Sequence, residues 1–73
     1  MLKNIPSNSK GALHIARTYR WFMEDQHRIY ERPIMFIGAV IFVHNHGIIS
    51  NGRYEDCWKA FRQAMERRAE EDD

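Results

Sequence analysis

Residues Ile34 to Val43 read Ile-Met-Phe-Ile-Gly-Ala-Val-Ile-Phe-Val, a run without one polar side chain in a chain of 73 residues. Taken as a β-strand, it alternates its side chains between two faces. The even set is Ile34, Phe36, Val40 and Phe42, and the odd set is Met35, Ile37, Ala39, Ile41 and Val43. Both sets are apolar, so both faces of the strand need cover. Its content of Ile and Val favours a strand over a short helix. Its ten residues, or sixteen if stretched to Ile49, fall short of the roughly 20 that a membrane-spanning helix needs.

Downstream of the run, Asn45-His46-Gly47 is a turn-forming triplet that would fold Ile48 and Ile49 back as a second strand. Residues 34–50 are therefore expected to form an antiparallel hairpin. Upstream, Ala12, Ile15, Ala16, Tyr19, Phe22, Met23, Ile29 and Tyr30 recur at three- and four-residue spacing. That stripe predicts a helix over 9–32, ending where Pro33 disfavours the helical region for its predecessor. Residues 1–8 form a lead-in, with Ser7, Asn8 or Ser9 available as the cap. After Asn51-Gly52, which either opens the next helix or makes a tight turn before it, Tyr54, Cys57, Trp58, Phe61, Ala64 and Met65 mark a second helix over 53–69. Glu70 to Asp73 puts four carboxylates at the negative pole of that helix, and a frayed acidic tail over 70–73 is expected.

The fold class implied is α+β: one α-β-β-α domain over 1–73, with two helices packed on one face of the hairpin. A chain this short buries only about 60% of its unfolded surface, so additions to the core matter. Cys57 is the sole cysteine and no disulfide can close within the chain. Self-association is the remaining way to extend the core, and a homodimer is expected with Ile34, Phe36, Ile37, Val40, Ile41, Phe42 and Val43 as its seam. Gly38 would permit close approach or a bulge there.

Net charge is +1, yet residues 1–33 carry six basic and three acidic side chains while residues 34–73 are net acidic. Placing the first helix on a wheel sets Leu13 and Trp21 opposite the buried stripe, among Arg17, Arg20 and Arg28. Trp and Arg are the residue types most enriched in binding hot spots. Leu13, Arg17, Arg20, Trp21 and Arg28 are therefore the expected partner-binding residues, with a protein as the partner. The same basic face could meet phosphates with Trp21 or Tyr19 stacking on bases, which makes a nucleic-acid-binding regulator the alternative. A peptide anchored to a membrane by residues 34–49 comes third, and a membrane partner is not expected.

Other chemistry is sparse. His44 and His46 stand two apart, so on an extended segment both would face one metal ion, with Asp56 or Cys57 as third ligand. The ββα-metal nuclease arrangement requires a His or Asn on the following helix, and none follows Asn51. No metal and no cofactor is expected. Ser7, Ser9 and Ser50 lie outside any Gly-x-Ser-x-Gly elbow, and no phosphate-cradling glycine loop is present, so an enzyme is not expected. His14 and His27 sit at the edges of the apolar stripe, and Cys57 lies within the second helix's buried stripe.

By elimination the chain is a small regulator or inhibitor that occupies the surface of another protein. Such stand-alone domains are frequent in phage and mobile-element genomes. With one cysteine and no apolar leader segment, the expected location is cytoplasmic.

Overall fold

The computed structural model describes residues 10–72 and shows four helices: α1 (Lys10–Glu24), α2 (His27–Glu31), α3 (Pro33–Asn45) and α4 (Asn51–Asp72). Among the described residues there is no strand, so the expected α-β-β-α fold and its hairpin over 34–50 are overturned. The lead-in 1–8, its capping residues and Asp73 lie outside the described residues.

The apolar run is the central helix. Pro33 occupies its first turn, where the missing N–H costs nothing and the fixed φ is already helical. Arg32, pressed out of the helical region by the following proline, separates α2 from α3 with φ −139° and ψ 63°. Around α3, Pro33, Phe36, Ile37, Ala39, Val40 and Val43 are buried, a set with helical spacing. A helix apolar all round is stable where neighbours enclose it, and α1 and α4 both pack on α3. Between α1 and α4 no pair of Cα atoms comes within 8 Å, so α3 is the only long element shared by the whole core.

The Asn45-His46-Gly47 triplet ends this helix instead of turning a hairpin. Gly47 takes φ +72°, its N–H donates to the His44 carbonyl at 3.0 Å, and the Ile48 N–H donates to the Val43 carbonyl at 2.8 Å. This pair of bonds is the Schellman arrangement, in which a left-handed residue just past the helix satisfies its last carbonyls. Ser50 then caps α4, its Oγ accepting from the Arg53 N–H at 3.1 Å.

The helix expected over 9–32 is broken in two. Asp25 Oδ1 accepts from the His27 N–H at 3.1 Å, so the aspartate side chain competes with the helix ladder and ends α1. The acidic end of α4 stays helical through Asp72, where Arg67 Nε lies 3.9 Å from Glu71 Oε2. α2 is tied back to α4 by Arg68 Nη1, which donates to the Tyr30 carbonyl at 2.9 Å, and by the Arg67 guanidinium 4.7 Å from the Tyr30 ring centroid.

Phe22, Phe36, Val40 and Val43 are the largest fully buried side chains, joined by Tyr19, Ile29, Ile37, Ala39, Cys57 and Ala64. Phe22 and Phe36 meet edge to face at 5.3 Å, fastening α1 to α3. At the other side His44 stacks on Tyr54 at 3.9 Å, and Tyr54, Trp58 and Phe61 continue edge to face along α4. Four of the residues expected in a dimer seam, Phe36, Ile37, Val40 and Val43, thus face the chain's own core. A strand-mediated dimer through them is excluded, because each is already covered within one copy.

Candidate functional site

α1 presents its polar side away from the core because Ile15, Tyr19 and Phe22 turn inward. On that outer side Leu13 is 53% exposed and Trp21 38% exposed. A large aromatic left in water needs support to hold one orientation, and Trp21 has two contacts that provide it. Its ring meets Phe22 edge to face at 4.9 Å, and the Arg28 guanidinium carbon lies 4.4 Å from the ring centroid. Arg28 Nη1 also donates to the Trp21 carbonyl at 2.7 Å, and its Nε lies 3.9 Å from Asp25 Oδ2. The arginine is therefore engaged three ways, on the ring, on the backbone and on a carboxylate.

Beside Trp21 a notch of about 300 Å³ opens between α1 and α3, lined by His14, Arg17, Thr18, Trp21, Arg32 and Met35. Its wall is mainly apolar, and two arginines stand at its edge. The Thr18 hydroxyl donates to the His14 carbonyl at 2.9 Å, so it is spent on the helix backbone. An apolar side chain with an acidic neighbour fits such a notch, through burial against Trp21 and Met35 and pairing with Arg17 or Arg32.

The five expected partner-binding residues are only partly brought together. Arg17 and Trp21 share the notch, Arg28 braces Trp21, and Leu13 flanks Arg17 one turn earlier on α1. Arg20 turns the other way, to a groove of about 420 Å³ on the α4 side, where it joins Ala16, Tyr19, Met23, Ile49 and Arg53. Arg32 and Met35 belong to the site but not to the expected set. Arg32 had a visible charge, whereas Met35 could be placed only once α3 was known to be a helix.

Beneath the α4-side groove, the Tyr19 hydroxyl is buried beside the Cys57 thiol and the Arg53 guanidinium. Burial pushes both the Tyr19 hydroxyl and the Cys57 thiol above their ordinary values. Cys57 is thus a protonated, buried thiol and an inert packing group.

His44 and His46 do not converge. On a helix, positions two apart point to nearly opposite sides. His44 Nε2 donates to Asn51 Oδ1 at 2.7 Å, while His46 Nδ1 donates to the Phe42 carbonyl at 3.0 Å and its ring stacks on Phe42. Among the described residues no group of three or more His, Cys, Asp or Glu side chains is placed to hold a metal ion. No described helix is long and apolar enough to cross a membrane.

The chain matches no protein-family model, no curated protein and no solved structure.

Proposed function

We propose that this chain is a small, non-enzymatic protein-binding regulator that occupies the surface of a partner protein through the Trp21 notch. The observation that carries this reading is the bracing of a part-exposed tryptophan by Arg28 and Phe22 at the mouth of an apolar notch edged by Arg17 and Arg32. Holding an aromatic anchor in place before binding reduces the ordering cost of association, which is the property of an interface hot spot. The partner chemistry that fits is an apolar side chain flanked by carboxylates. A cytoplasmic site of action, inhibition as the mode of regulation, and a phage or mobile element as the source belong to the same reading.

The test is affinity capture from the native host with wild-type chain and with the Trp21→Ala and Arg17→Glu variants, each checked for helicity by circular dichroism. One co-purifying protein, lost with both folded variants, is the expected result. Retention of that protein by both variants would overturn the assignment of the surface. Binding to duplex DNA or RNA at low salt, with a steep fall as salt rises, would replace the protein partner with a polyanion.

A further inference from the structure

Arg20 and Arg53 belong to different helices and converge on one groove, and neither has an anionic partner. Arg20 stands on the α4 side of α1 and Arg53 in the first turn of α4, and both line the cleft of about 420 Å³. Among the described residues no carboxylate oxygen lies within 4.0 Å of either guanidinium, in contrast to Arg28 and Arg67. Glu24 and Asp56, each one turn from an arginine along its own helix, do not line the groove. Two guanidinium charges facing one cleft repel each other, and an anion placed between them makes both interactions favourable.

The surroundings suit an anion that carries an apolar body. Ser50 and Arg53 put the groove at the N-terminus of α4, the positive pole of a helix of 22 residues. Met23, Ile48 and Ile49 supply hydrocarbon walls, and walls that exclude water strengthen a charge-assisted hydrogen bond beside them. Ile48 is 53% exposed, yet its backbone is fixed by the N–H bond to the Val43 carbonyl at 2.8 Å, so it forms a preset rim. The floor is closed by Tyr19, whose buried hydroxyl lies beside the Arg53 guanidinium. The groove shares no lining residue with the Trp21 notch on the other flank of α1.

We propose that this groove binds a small organic acid, its carboxylate bridging Arg20 and Arg53 and its hydrocarbon body lying against Met23, Ile48 and Ile49. The planar fork of an arginine matches the two oxygens of a carboxylate. The volume falls within the roughly 300–1,000 Å³ of small-molecule clefts. A bare inorganic anion satisfies the arginines but leaves the hydrocarbon walls unused.

The test is titration of the full chain with hexanoate, followed by backbone amide NMR shifts, with hexanamide and inorganic phosphate as comparisons. Hexanoate should give saturable shifts centred on Arg20, Met23, Ile49 and Arg53, in the millimolar range that so few atoms permit. Butanoate, shorter by two methylenes, should bind about tenfold more weakly. Arg20→Gln and Arg53→Gln should each weaken hexanoate at least about tenfold with helicity unchanged. Arg17→Gln, in the notch, should leave it unaltered. If Arg53→Gln disturbs the fold through Tyr19, the Arg20→Gln result decides. Absence of saturable shifts overturns the proposal, as does a hexanoate affinity that survives the arginine variants of the groove. Hexanamide binding as well as hexanoate removes the anion from the reading, phosphate binding as well as hexanoate removes the apolar body, and either overturns it. None of these readouts involves the Trp21 notch, so failure here is distinct from failure of the partner-binding reading.

Discussion

Arg28 reaches back over Trp21 from the next helix, its guanidinium carbon 4.4 Å above the indole and one of its N–H groups donating to the carbonyl of the same residue at 2.7 Å. The contact crosses the break at Asp25 and Gln26, so one side chain both orients the exposed indole and fixes the angle between α1 and α2. Removing it should therefore affect stability and the indole together. Arg28→Ala is expected to cost about 1–2 kcal/mol in denaturant unfolding. It should also move Trp21 emission, read in a Trp58→Phe background, toward that of a freely solvated indole. Arg28→Lys keeps the charge but loses the planar fork, and should fall between the two.

Gly47 is required by backbone conformation and not by space, since a Cβ there would meet no atom within 4 Å. At φ +72° an L residue is strained. Gly47→Ala is expected to lower stability by about 1–2 kcal/mol, and Gly47→Asn by less, because asparagine tolerates the left-handed region. Equal stability of all three chains in urea titrations would mean that the Schellman closure is not maintained in solution.

Phe36 is fully buried at the meeting of α1 and α3. Phe36→Ala should cost about 3–5 kcal/mol. In a domain of this size that approaches the whole stability, so loss of cooperative thermal unfolding is the expected reading. Ile34→Ala, on the exposed side of the same helix, should change monomer stability by less than about 1 kcal/mol. The contrast tests which side of α3 faces the core.

Tyr19 and Cys57 make stability fall at high pH. Both groups are raised in the folded chain, chiefly by burial, above ordinary values of 10.0 and 9.0. The unfolded chain therefore releases these protons first. Their contribution is complete below about pH 9 and is lost as pH rises through the folded values. Unfolding midpoints should decline above about pH 9, and Cys57→Ala should flatten the early part of that decline. In the native chain at pH 7, Cys57 should also resist alkylation until denaturant is added.

The two amphipathic helices could be anticipated because their buried and exposed residues differ in kind. Ile15, Tyr19 and Phe22 on α1, and Tyr54, Cys57, Trp58, Phe61 and Ala64 on α4, are separated by charged positions, so the helical period shows. Between Ile34 and Val43 every residue is apolar and no period shows, leaving Ile and Val propensities to suggest a strand. Packing between α1 and α4 outweighed those propensities. Gly47 was ambiguous for a related reason: a left-handed glycine suits both a tight turn and a helix terminus, and only the structure of the preceding residues distinguishes them. Asp25 ended α1 through a side-chain bond that nothing in the apolar stripe announces. At the notch, Trp21 and Arg17 were visible as an apolar residue among charges. Met35 was not, because its position there depends on α3 being a helix.

The need for cover on both sides of the apolar run also changes form. One side is met by α1 and α4, and Ile34, Met35 and Ile41 keep the other open to water.

The backbones of α1 and α4 do not approach one another, so these two helices are joined through α3, through α2 and through side chains such as Tyr19 beside Cys57. A disturbance in α1 reaches α4 through α3 or through the short α2 link, and by no direct backbone route. Hydrogen exchange should then show the α3 amides opening only when the whole chain unfolds. Splitting the chain in the loop after Gly47 would leave α4 to reassemble on α3 and α2 through the core and the Arg67 and Arg68 contacts to Tyr30, the natural cut point for a reporter rebuilt from halves.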